Sequence, residues 1–143
     1  MTNQVFKYLK KYSTKPIDVD RLIVSSFLKK NNLFDIQNSY INTYVISQNN
    51  VEEYNHLINF IEILEAEIDT FNIENLIELF EFVISPADRI INGAIYTPKN
   101  IREYIIDNTL AKNRRQIGHN KIADISCGCG GFLFNAAKYI KSQ

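Results

Sequence analysis

The chain has 143 residues, of which 45% are hydrophobic and 22% charged. That is enough apolar side chain to bury a core and excludes a disordered segment. No run approaches the roughly 20 apolar residues of a membrane span, and no export signal opens the chain. Cys127 and Cys129 are separated by one residue and cannot staple a domain, so a reduced, cytoplasmic protein is expected. The net charge of zero hides three blocks: residues 1–30 carry +5, residues 31–85 carry −10 with no Lys or Arg, and residues 86–143 carry +5. The basic blocks suit nucleic acid or an anionic ligand, and solvated helix faces are the plainer reading.

In chain order, Asp18 is expected to cap a helix that buries Leu22, Ile23 and Phe27 and ends near "KKNN". "SYINTYVIS" (39–47) mixes strand-favouring residues with no second strand pattern nearby, so it is read as helix. Asn50 caps the next helix, with Glu53 three residues on to form a capping box. Its inward stripe is Val51, Tyr54, Leu57, Ile58, Ile61, Leu64 and Ile68. After the short link "DTFN", a helix over 73–84 buries Ile73, Leu76, Ile77, Phe80 and Ile84, and the two should form an antiparallel pair. "SPAD" (85–88) starts a short helix that "NG" (92–93) stops. "YTP" (96–98) starts another, with Thr97 as cap, Pro98 as first residue and Ile101, Tyr104 and Ile105 inside. "AKNRRQIGHN" is a basic loop, "KIADIS" a buried-type strand, and a helix runs from about Gly131 through Phe134, Ala137 and Ile140.

The stretch between them, "DISCGCGGFL" (124–133), holds three of the five glycines and both cysteines. Strand, glycine turn and helix begin a nucleotide-binding α/β unit, because glycine lets a ligand approach the backbone and the helix start offers free N–H groups. Neither G-x-G-x-x-G nor a P-loop fits. An acid before the glycines, Asp124, suits a ligand with a cation beside its anion, such as an amino-acid moiety, where its bond to an ammonium would contribute about 1.5–3 kcal/mol. An ordinary tight turn is the plain alternative. A lone C-x-C does not make a zinc site, and no metal is expected.

These residues resemble a known family. "DISCGCGGFL" resembles motif I of the N(6)-adenine DNA methyltransferases, D-P-x-C-G-S-G-x-F/L, and "GAIYTPKNI" (93–101) resembles their motif X. The two stand in the order and spacing of the type I and related restriction–modification branches. The resemblance implies S-adenosyl-L-methionine (AdoMet) as cofactor, whose methionine end carries the inferred ammonium and carboxylate. It implies that Asp124 meets the ammonium, that Ser126, Cys127, Gly128 and Gly130 line the methionine end, and that Tyr96 and Thr97 close over it. Ile125 stands where proline is usual and Cys129 where serine is usual.

The expected architecture is therefore mainly α: a helical domain over 1–91, then over 92–143 the truncated start of a class I AdoMet-dependent methyltransferase α/β fold. The family's motif IV, N/D-P-P-Y/F, which holds the flipped adenine, is absent, since the prolines are 16, 86 and 98. The chain thus reads as the N-terminal part of a restriction–modification methyltransferase, with no catalytic residue of its own. Double-stranded DNA would be the substrate of the whole enzyme, and a specificity or endonuclease subunit its partner. The lone strand is expected to pair with another copy or to leave the residues from Lys121 onward poorly ordered. Two rival readings are a non-catalytic helical assembly module and a methyltransferase fold acting on another substrate.

Overall fold

The structure, a computed structural model, describes residues 3–33, 35–83, 96–110 and 121–142. The chain divides into two compact units, Met1–Ile84 and Ser85–Gln143. The described residues are mainly helical and contain no strand. None of their helices is long and apolar enough to cross a membrane.

The first unit holds α1 (Asn3–Tyr12), α2 (Pro16–Lys30), the single turn α3 (Ser39–Asn42), α4 (Val51–Glu65) and α5 (Ile73–Val83). Helix α2 starts two residues before the expected cap. Pro16 supplies the preset φ of a first helical position, and Asp18, inside the first turn, accepts from Ser13 Oγ at 2.8 Å instead of capping. Its end is as expected. Asn32 takes a left-handed φ of 54°, Leu33 N–H reaches back to Leu28 O at 2.8 Å, and Asn32 N–H to Lys29 O. This is a Schellman closure with asparagine in the place glycine usually takes.

Only the first half of 39–47 is helical. Asn38 Oδ1 caps α3 by accepting from Ile41 N–H at 3.0 Å. Beyond it, fully buried Ser25 takes over the backbone. Its hydroxyl donates to Tyr44 O at 2.9 Å and accepts from Ile46 N–H at 2.8 Å. One side chain of α2 thus satisfies two groups that a continued helix would have paired internally, and it seats Ile46 in the core.

Asn50 caps α4, with its Oδ1 accepting from Glu53 N–H at 3.3 Å. Glu53 does not return the bond to the Asn50 N–H, which goes to Ser47 O. Its carboxylate is taken by the Arg21 guanidinium in a two-point pair of 3.0 and 3.1 Å. A link not expected from the sequence starts α5: Asn72 and Asn75 each accept the other's N–H, at 3.2 and 3.1 Å.

Helices α4 and α5 each pack against α1 and α2 rather than forming a pair of their own. The reason lies in α1, whose Tyr8 stacks on Phe60 of α4 and whose Phe6 stacks on Phe82 of α5, with ring centroids 5.4 and 4.0 Å apart. The core gathers Val5 and Leu9, Val19, Leu22 and Ile23, Ile46, Leu57, Phe60, Ile61 and Leu64, Phe71 and Leu79. The expected stripes mark the right helices but miss Phe60 and Leu79, both fully buried, and wrongly place exposed Val51 and Ile73 inside.

The second unit contributes α6 (Lys99–Leu110) and α7 (Gly131–Lys141), packed on each other. The expected strand over "KIADIS" does not form: residues 121–124 have no ladder partner and 125–126 turn. A strand exists through its neighbour's hydrogen bonds, and here Ile122 and Ile125 are exposed rather than covered. The expected inner face of α6 is also reversed. Ile101, Tyr104 and Ile105 are exposed, and the residue it buries is Arg102. The expected helix at 85–88, its stop at 92–93, the loop 111–120 and the boundary at 91/92 lie outside the described residues.

Burial pushes the Tyr12 phenol up to about 12, with the nearby Glu53 and Asp18 carboxylates adding to the shift. A raised folded pKa means the stabilisation is complete below the unfolded value of 10.0 and is lost as pH rises through about 12. Denaturant midpoints taken across that window should therefore fall less for Tyr12→Phe than for the parent chain. Ser25→Ala should cost about 1–3 kcal/mol in the same urea titrations near neutral pH, because it strands a part-buried carbonyl and a buried N–H.

Candidate functional site

Two segments without regular secondary structure, 96–98 and 121–130, meet where α6 and α7 begin. Pro98 O receives the first helical N–H groups of α6, from Ile101 and Arg102, each at 3.0 Å. The helix therefore starts one residue later than the sequence suggests. Thr97 O does not serve it, because that carbonyl is taken by Arg102 Nη1 at 2.8 Å.

At the other segment, Asp124 Oδ1 accepts from Ser126 N–H at 3.0 Å and from its hydroxyl at 3.5 Å. This local turn holds the half-buried carboxyl at the mouth of the loop. Gly130 N–H then closes on Cys127 O at 2.7 Å. Gly128 and Gly130 both take positive φ, 51° and 77°, where a side chain would be strained. Gly130 also caps α7, whose first N–H groups have no helical partner of their own.

The two segments touch through the Tyr96 ring. A Cβ on Gly128 would lie 3.1 Å from Tyr96 Cε1, whereas one on Gly130 would meet nothing within 4 Å. The loop is thus closed by an aromatic ring at one glycine and open at the other. Tyr96 and Gly128 are in contact, Thr97 lies beside them in the same turn, and Asp124, Ser126, Cys127 and Gly130 form the continuous loop. Cys127 is exposed and Cys129 half-buried, and neither is in a disulfide. No group of three His, Cys, Asp or Glu side chains among the described residues could hold a metal ion.

Beneath this contact lie three residues that sequence reasoning assigned no role. Arg102 is 5% exposed and Asn135 4%. Arg102 Nε donates to Asn135 Oδ1 at 3.2 Å. The guanidinium occupies the space a Gly131 side chain would need: a Cβ there would lie 2.8 Å from Nε and 2.9 Å from Cζ. The available signal was Gly131 itself, since a glycine inside a helix marks close packing. Arg102 gave none, because an arginine between Ile101 and Glu103 reads as a solvated position.

The chemistry on offer is one carboxylate, backbone N–H groups at a helix start, an aromatic face and glycines that expose the backbone. Groups of these kinds can in general pair with the two ends of a small zwitterion. A cavity in the first unit between Asp20, Val24, Tyr40, Ile41, Tyr44 and Phe80 measures about 250 Å³, below the range of sites that enclose a nucleoside-sized ligand.

The chain belongs to the N-6 DNA methylase family, whose model matches residues 72–143, half of the chain, from the start of α5 through α7. Comparison with curated proteins and with solved structures finds no match.

Gly131→Ala should destabilise the second unit by about 1–3 kcal/mol, since a pinned guanidinium cannot give way without losing its bonds. Urea unfolding followed by far-ultraviolet circular dichroism measures this.

Proposed function

We propose that the chain is the N-terminal part of a site-specific N(6)-adenine DNA methyltransferase of a restriction–modification system. In this reading residues 92–143 begin its cofactor domain and residues 1–91 form a helical domain. The observation that carries it is the seat of Tyr96 on Gly128, which joins the motif X turn to the motif I loop in a chain of the N-6 DNA methylase family.

AdoMet supplies the transferable methyl on its sulfonium, and the chain's own residues hold the other end. Asp124 takes the ammonium through its carboxylate. The backbone of Ser126, Cys127, Gly128 and Gly130 lines the methionine chain, and Tyr96 and Thr97 close over it. The fit is supported by the open space at Gly130 and by the N–H groups at the start of α7, which favour a carboxylate. The departure at Ile125 costs little, because that side chain points wholly into solvent.

Double-stranded DNA is then the substrate of the whole enzyme, which works in the cytoplasm. Exposed Ile101, Tyr104, Ile105, Ile122, Ile125 and Leu133 suit coverage by further protein, either the rest of such an enzyme or a second copy pairing along 121–125. One observation favours a second reading, a helical module that assembles with a specificity or endonuclease subunit. The −10 charge of residues 31–85 repels DNA and fits a basic protein surface.

Isothermal titration separates the two. AdoMet should bind the chain, and Asp124→Asn should weaken it about ten- to a hundredfold. The same variant should leave methylthioadenosine, which lacks the amino-acid end, unaffected. A parent chain that takes up no AdoMet at millimolar concentration overturns the cofactor reading and leaves the assembly module.

A further inference from the structure

We propose that Arg102 is a positioning residue for the cofactor loop: with Asn135 and the bare backbone of Gly131, it sets the Tyr96–Thr97 turn against Gly128. This rests on the AdoMet reading above for its consequence, though not for its geometry.

Stability alone does not account for Arg102. Its guanidinium is buried beside the first residue of α7, where the helix dipole already presents positive charge, so the cation works against the helix. Apolar side chains of similar volume often replace a buried charge without loss. What they cannot supply is two donors at a fixed angle. Here one donor, Nη1, holds Thr97 O and the other, Nε, holds Asn135 Oδ1. The first fixes a carbonyl one residue away from Tyr96, and the second fixes α7, whose cap is Gly130. The distance between turn and loop is thereby set by one rigid group. Gly131 completes the device, because any side chain there would displace it.

The ligand-free chain provides one test. The Tyr96 ring should shift the Gly128 α-proton resonances, and Tyr96→Ala gives the value without the ring. Arg102→Met and Asn135→Leu should move Gly128 to that value, whereas Asn135→Asp, which keeps the accepting oxygen, should hold it near the parent one. Arg102→Lys keeps charge and stem but cannot span both acceptors, so it should behave like Arg102→Met. It decides the matter if the methionine variant fails to fold.

AdoMet titration provides the other. Tyr96→Ala and Arg102→Met should each lose about tenfold in affinity, and the double variant no more than either alone, because the two act as one unit. A Gly128 resonance unchanged in folded Arg102→Lys and Asn135→Leu overturns the proposal, as do losses that multiply in the double variant. If the parent chain binds no AdoMet, the cofactor reading fails, while the Gly128 resonance still decides the role of Arg102.

Discussion

One buried guanidinium organises the second unit. The Tyr96–Pro98 turn and the glycine loop lack a ladder or helix of their own, so groups outside them must help to set the distance between them. Arg102 does so by donating to a carbonyl of the turn and to a side chain of α7. The glycines matter in relation to it. Gly131 leaves room for the guanidinium, Gly128 leaves room for the Tyr96 ring, and Gly130 turns the chain into α7 while leaving its outer side open. Losing any one of these would alter the loop's shape more than the unit's apolar packing.

The first unit solves a different problem. Four helices and one single turn must agree on one core, and α1 supplies the shared surface through Phe6 and Tyr8. Its polar groups are recruited to the same end. Ser25 turns the backbone after α3 into the core, and Glu53, whose carboxylate also accepts from Asn50 Nδ2, pairs with Arg21 of α2. A half-buried two-point pair of this kind has directional value that an exposed ion pair lacks.

Charge links these features to function. A zwitterionic ligand needs a carboxylate for its cation and N–H donors for its anion, within the length of one small molecule. An aspartate followed by glycines and a helix start offers both kinds of group from a single stretch of chain.

How much was legible follows from the range of each interaction. The approximate positions of α2, α4, α5, α6 and α7, the Asn50 cap, the stop at "KKNN" and the glycine loop depend on residues within a few places of one another, and the sequence by itself determined them, whereas α1 was not legible. So did the pairing of "YTP" with "DISCGCGG" as family motifs. The strand expected over "KIADIS" does not form, because a strand is a property of two segments and the sequence pattern supplies only one. The inner face of α6 was reversed for a related reason: hydrophobicity predicts which side prefers burial, but the partner helix decides which side is buried. Only the tertiary structure could decide that Arg102 lies inside, since its acceptors stand 5 and 33 residues away, and a guanidinium leaves water only where such distant groups converge to satisfy it.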